Sequence, residues 1–176
     1  MIWDNIHHLV KSLDVDREFG LALQPRFGVD FMPCFVCSSG GFDCLHVGHL
    51  RCIQESRRFG TRLIIIVNGD GFLIRKKGFV FMPLAERMEI IAGLAGVHDV
   101  VAWDDGTQNV VGALELLRPH VFTKGGDRSS PAQMNPEEIR VCESIGCRIE
   151  YGVGGNYKAQ SSSKLTEKLQ HVVGSR

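Results

Sequence analysis

Residues 63–67, Leu-Ile-Ile-Ile-Val, are apolar at every position, as a strand buried on both faces must be. Shorter runs of the same kind lie at residues 34–37, 97–103, 121–123 and 147–151. Between them the apolar spacing changes to that of helices. Residues 46–59 form one helical pattern, closed by Gly60 as a C′ residue. A second covers residues 83–95, with Pro83 at N1 and Leu84, Met88, Ile91 and Ala95 on one face. A third, residues 108–117, stops before Pro119, and a fourth covers residues 136–145. The fourth has Asn135 as N-cap, Glu138 at N3 in a capping-box arrangement and Gly146 at its end. Strand and helix alternating in this way predict an α/β fold: a doubly wound, parallel five-stranded sheet with helices on both faces.

Residues 1–32 stand outside this alternation. They hold a helical pattern over residues 3–13, then a stretch broken by Gly20, Pro25 and Gly28. An amino-terminal extension is expected, packed on the domain or helping a partner subunit dock. With 176 residues, the chain has room for one domain, residues 33–176, beside that extension. A hydrophobic content of 44% supports a real core, and twenty Lys and Arg against twenty Asp and Glu leave no net charge. Neutrality argues against a dedicated nucleic-acid binder, whose affinity comes mainly from a basic surface, and against a polybasic membrane anchor. The aliphatic run is far too short to span a bilayer, and the amino terminus lacks the pattern of a secretory leader. A cytoplasmic, membrane-free protein is the expectation.

Cys34 and Cys37 form a CxxC inside a strand, where side chains three apart face opposite ways, so the sulfurs should diverge. Cys44, Cys52, Cys142 and Cys147 have no metal-ligand spacing, and all six cysteines are expected as buried, reduced thiols. His7, His8, His98, His120 and His171 are scattered and are assigned no catalytic task.

In an open parallel sheet the ligand crevice lies at the carboxyl ends of the strands. The loop leaving the first strand there reads Ser38-Ser39-Gly40-Gly41-Phe42-Asp43-Cys44-Leu45-His46-Val47-Gly48-His49. Gly40 and Gly41 let the backbone approach a ligand closely, and the helix start beyond offers free N–H groups to a phosphate. His46 and His49, three apart, can face one ligand, with Gly48 between them adding no obstruction. Two imidazoles can donate hydrogen bonds to a phosphoryl group as charge builds on it. Further cations follow later strands: Arg75, Lys76 and Lys77 in a loop after the second, and Lys124 before Gly125, Gly126 and Asp127 after the fourth. Arg87 lies near the start of the helix that Pro83 opens, and Ser161, Ser162 and Ser163 precede a final helical pattern.

The segment Gly-Gly-Phe-Asp-Cys-Leu-His-Val-Gly-His resembles the GxFDxxHxGH signature of the cytidylyltransferase-like nucleotidylyltransferases. Arg75-Lys76-Lys77-Gly78, Pro83-Leu84-Ala85-Glu86-Arg87-Met88, Lys124-Gly125-Gly126-Asp127 and Gln160-Ser161-Ser162-Ser163 resemble later motifs of that family, in order, over residues 36–169. The resemblance is greatest to the heptose-phosphate adenylyltransferase and glycerol-3-phosphate cytidylyltransferase branch, and it implies a Rossmann-like fold. It implies transfer of CMP or AMP from CTP or ATP to a phosphorylated sugar or polyol, with release of pyrophosphate. It assigns catalysis to His46, His49, Lys77 and Arg87, and the acceptor phosphate to Arg75 and Lys76. Nucleotide binding falls to Gly40, Gly41, Phe42, Asp43, Gly48, Lys124, Gly125, Gly126, Asp127, Ser161, Ser162 and Ser163. Mg²⁺ would accompany the triphosphate with no protein side chain as its ligand, Asp43 shaping the loop instead, and a homodimer is expected.

One segment departs from the pattern. Phe79-Val80-Phe81-Met82 is apolar where relatives carry a longer, more polar stretch, so sugar phosphate, heptose phosphate and glycerol phosphate all stay open as acceptors. The alternative reading is a catalytically inactive, nucleotide-binding regulatory protein of the same fold. A fragment of a class I aminoacyl-tRNA synthetase, which shares HxGH, is set aside because the chain is short, lacks a KMSKS-like segment and has no basic surface for tRNA.

Overall fold

A computed structural model of the chain describes residues 6–14, 17, 33–126 and 128–155. Its elements run β1 (Phe35–Gly40), α1 (Val47–Ser56), β2 (Arg62–Asn68), α2 (Asp70–Lys77), α3 (Leu84–Ala92), β3 (Asp99–Trp103), α4 (Val111–Leu117), β4 (Val121–Gly125), α5 (Pro136–Ile145) and β5 (Arg148–Val153). The five strands form one sheet in the order β3-β2-β1-β4-β5, and every pairing is parallel. The chain winds outward from β1 through β2 to β3, then crosses back to β4 and β5. The strand order therefore reverses between β1 and β4, which opens a crevice at their carboxyl ends.

The apolar run of β2 shows why the sheet needs cover on both faces. Leu63, Ile65 and Val67 join Val36 and Val121 on one face, against Ile53 of α1 and Ile91 of α3. Ile64 and Ile66 join Phe35, Cys37 and Phe122 on the other, against Leu114 and Leu117 of α4 and Val141 of α5. Each such side chain, once buried, contributes about 1.5–3 kcal/mol. The CxxC behaves as the period of two requires: Cys37 lies in the second of these clusters, Cys34 packs against the first, and all six cysteines are free thiols.

Residues 6–14 are helical, and Ile6, Leu9 and Leu13 are buried in the same cluster as α4 and α5. Arg17 ties that helix down further, donating to the Leu117 carbonyl at 2.7 Å and stacking over Phe35. The described residues of the extension therefore pack on the domain.

Two expectations change. Arg75, Lys76 and Lys77 are not in a loop but form the last turn of α2. Cations there complement the helix dipole, and Gly78, at φ 86°, closes the helix with its N–H on the Ile74 carbonyl at 2.9 Å. The pattern was masked by Gly71 inside the helix and by its weak apolar periodicity. The capping box of α5 is also only half present. Asn135 accepts from the Glu137 N–H at 2.8 Å, but the Glu138 carboxylate turns away from the cap toward Lys124, at 2.7 Å.

Candidate active site

A cleft of about 580 Å³ opens at the carboxyl ends of β1, β2 and β4. That volume suits a drug-sized or nucleotide-sized ligand. Gly40, Gly41, Phe42, Asp43, His46, Gly48 and His49 all line it, so the loop after β1 forms its centre.

His46 is the N-cap of α1. Its Nδ1 accepts the Gly48 N–H at 3.1 Å, which places the proton of the neutral ring on Nε2 and makes that atom a donor. Gly48 is glycine for a reason of packing: a Cβ there would stand 3.0 Å from both Cε1 and Nδ1 of His46. The two imidazoles stack, with centroids 3.8 Å apart and planes 21° from parallel, and Phe42 meets His49 edge-on at 5.1 Å. The spacing of the histidines along the helix thus becomes one double-ring surface at the helix start.

Asp43 is an organiser. Its carboxylate accepts from Lys77 Nζ at 2.6 Å, the Phe81 N–H at 2.9 Å and the Met82 N–H at 2.6 Å. Burial pushes its carboxyl pKa up, but these hydrogen bonds and the Lys77 charge prevail and hold it below the ordinary range. The apolar 79–82 segment is therefore stapled over the loop after β1 by a side chain of that loop. Lys77 lines the cleft while bridging to Asp43, and Lys76 lines it beside Phe72.

Lys124 and Glu138 close the other wall. Lys124 Nζ lies 2.7 Å from Glu138 Oε2 and 3.4 Å from Ser39 Oγ, with its ammonium 4.2 Å above the Phe122 ring. Burial pushes the Lys124 ammonium pKa down, opposed by the Glu138 carboxylate. Glu138 Oε1 also accepts from the Val110 N–H at 3.3 Å. Gly125 and Gly126 line the cleft beside them.

Arg87, assigned to catalysis, and Arg75, assigned to the acceptor phosphate, lie elsewhere. Arg87 is 1% exposed and outside the cleft lining. Its guanidinium donates to the carbonyls of Met82 (2.9 Å), Gly41 (2.6 Å) and Asn68 (2.7 Å), and to Asp70 at 2.5 Å. It clamps the backbone behind the cleft, with its fork aimed at internal acceptors. Arg75 also lies outside the lining, its guanidinium held by Asp104 at 2.5 Å and the Thr107 carbonyl at 2.9 Å. Asp127 and Ser161, Ser162 and Ser163 lie outside the described residues.

The cleft is also lined by residues with no site role assigned from sequence, Asn68, Arg128, Glu138, Gly154 and Gly155 among them. Gly154 brings the chain after β5 onto α1. A Cβ there would lie 2.7 Å from the Cys52 nitrogen, and its N–H donates to Glu55 Oε2 at 3.0 Å. The usable signal for Asn68 was its place, a polar residue ending an apolar strand at the carboxyl edge. Glu138 had no such signal, since it lies on helix α5 and its partner Lys124 on strand β4.

Among the described residues no group of three His, Cys, Asp or Glu side chains is placed to hold a metal ion, and no helix is long and apolar enough to cross a membrane. Asp43, the carboxylate of the central loop, is taken by three donors of the protein, which fits the loop-shaping role better than that of a metal ligand.

Comparison with known proteins adds the lineage. The cytidylyltransferase-like family profile matches residues 38–168. Similar proteins include the bifunctional protein HldE of Haemophilus ducreyi (39% identical over 145 residues, 78% of this chain and 28% of that protein) and of Alcanivorax borkumensis (42% over 143 residues, 77% and 27%). HldE of Geotalea uraniireducens is 40% identical over 138 residues, 77% of this chain and 26% of its own. The chain thus spans under a third of the length of these relatives. In fold it is similar to a lipopolysaccharide core biosynthesis protein from Thermoplasma volcanium, with TM-score 0.55 and 19% identity over 68% of this chain and 93% of that one.

Proposed function

The chain belongs to the cytidylyltransferase-like family of nucleotidyltransferases, and from that premise we propose that it transfers CMP or AMP from CTP or ATP to a phosphorylated sugar or polyol. An acceptor phosphate oxygen attacks the α-phosphorus in line, a new P–O bond forms, and the bond to the bridging oxygen breaks to release pyrophosphate. The acceptor is already an anion at neutral pH, so the chain needs no strong general base and no covalent nucleophile. Its work is positioning and charge stabilisation.

The observation that carries this reading is the stacked His46–His49 pair at the start of α1, with the neutral ring of His46 held by its cap as an Nε2 donor. Such a pair is placed to stabilise charge building on the α-phosphate. Lys76 and Lys77 on one wall and Lys124 on the other supply positive charge to the two phosphorylated substrates. Mg²⁺ arriving with the triphosphate would be held by the nucleotide's own oxygens, shielding their charge.

Pyrophosphate release over a grid of CTP or ATP with glycerol 3-phosphate and several sugar phosphates tests the reading and identifies the base. His49→Ala is expected to fold normally and to lose turnover by about 10²-fold or more, the scale of one lost oxyanion donor. Near-wild-type turnover in that variant would remove His49 from the chemistry.

A further inference from the structure

Asn68 ends β2 at the rim of the cleft and is 6% exposed. Its backbone is pinned, since its carbonyl accepts Nη1 of Arg87 at 2.7 Å. No described residue pairs with its side chain. The Oδ1 atom is buried with no hydrogen-bond partner, and no described residue bonds the amide nitrogen. Buried polar groups are nearly always paired, so an unpaired amide in the wall of a ligand cleft calls for a functional explanation.

Its position narrows what the partner can be. In the sheet order, β2 and β4 lie on opposite sides of β1, whose loop carries the histidine pair. In-line transfer puts the attacking acceptor oxygen opposite the leaving pyrophosphate at the α-phosphorus that this pair would face. With Lys124, Gly125 and Gly126 given to the nucleotide, as the resemblance implies, the β2–α2 side falls to the acceptor. On that side Asn68 lines the cleft together with Lys76, Lys77, Phe72 and Leu73, and the two lysines provide for a phosphate. A neutral amide is a poorer anion site than an ammonium. It matches a hydroxyl group, which donates to an amide oxygen and accepts from an amide nitrogen.

Resting on the nucleotidyl-transfer reading, we propose that Asn68 is the residue that reads a hydroxyl of the acceptor and so selects polyhydroxylated phosphates over acceptors lacking a hydroxyl at that point. A site built to bond a substrate hydroxyl discriminates strongly, because its own polar group is left unpaired by the analogue without one. Asn68 has no hydrogen-bond partner to lose among the described residues, so the effect of replacing it should fall on the acceptor.

The test compares wild type with Asn68→Leu, which keeps the volume and removes the amide, and with Asn68→Ser, which restores a small polar group. Pyrophosphate release is measured with CTP or ATP against glycerol 3-phosphate and hexose 1-phosphates, alongside nucleotide binding by calorimetry and urea unfolding. The leucine variant is expected to lose roughly 10- to 100-fold in kcat/KM for the hydroxylated acceptor. Its nucleotide affinity should stay within about twofold and its urea midpoint should not fall. The serine variant should recover part of the loss. Equal losses for acceptor and nucleotide, a lowered urea midpoint that accounts for the loss, or unchanged acceptor kinetics would each overturn the role of Asn68. A wild type that releases no pyrophosphate with any pair overturns the transfer reading instead, and this inference with it.

Discussion

Replacing Arg87 separates a structural clamp from a phosphate ligand. In Arg87→Met three main-chain carbonyls lose their donor: Met82, Gly41 and Asn68, formerly at 2.9, 2.6 and 2.7 Å. Asp70 also loses its partner, but its side chain is 43% exposed and water replaces the bond at little cost. The Asn68 carbonyl is the deeply buried one, and leaving it unpaired costs about 1–3 kcal/mol. Water can reach the other two in part, so the sum is about 3–5 kcal/mol, the range for breaking a buried charged network. With a urea slope of about 2 kcal/mol per molar, the unfolding midpoint should drop by roughly 1.5–2.5 M. Arg87→Lys keeps the charge, but one ammonium cannot span acceptors arranged around a guanidinium fork, so it should recover only about 1 kcal/mol. In both variants the folded fraction should bind nucleotide within a few-fold of wild type. A midpoint shift below about 0.5 M at unchanged slope would refute the clamp, because it means less than about 1 kcal/mol rests on those bonds. A stable Arg87→Lys protein with strongly weakened substrate binding would restore Arg87 to the phosphate site.

Two further variants probe the walls of the cleft. Because the Asp43 pKa is depressed in the folded state, its contribution to stability is complete above the unfolded value of about 4 and is lost as pH falls through the folded value. Asp43→Asn should therefore weaken the protein at neutral pH and flatten the acid limb of its stability curve; a limb as steep as that of wild type would contradict the assignment. Glu138→Gln leaves the Lys124 ammonium without its counter-charge in a buried setting, at a cost of about 3–5 kcal/mol, and Glu138→Gln/Lys124→Met should regain much of it. A double variant no more stable than the single one, by thermal unfolding, would show that the pair is not coupled.

Several features were legible because they follow from one-dimensional rules. A strand with cover on both sides must be apolar throughout, so β2 and its shorter neighbours stood out from polar surroundings. The start of α5 was legible from Asn135 and Pro136, since caps are local chemistry. The loop after β1 was legible because its glycines and histidines fall together within ten residues at a strand–helix junction. Helix α2 was not, because its cations read as a charge run until Gly78 is recognised as a C-cap.

What the sequence determined by itself is what neighbouring residues impose on each other: the alternation of strand and helix, the divergent cysteines, and the histidine pair three apart at a helix start. What the tertiary structure decided is where each charge goes. Arg87 finds Gly41 forty-six residues away, Lys77 finds Asp43 thirty-four away, and Arg75 finds Asp104 twenty-nine away. Only the folded chain brings these groups within hydrogen-bond reach, and a charge buried without a partner is too costly to persist. Of these cations, then, Lys76 and Lys77 reach the cleft, Arg75 is held at the surface by Asp104, and Arg87 turns inward to hold the cleft in shape.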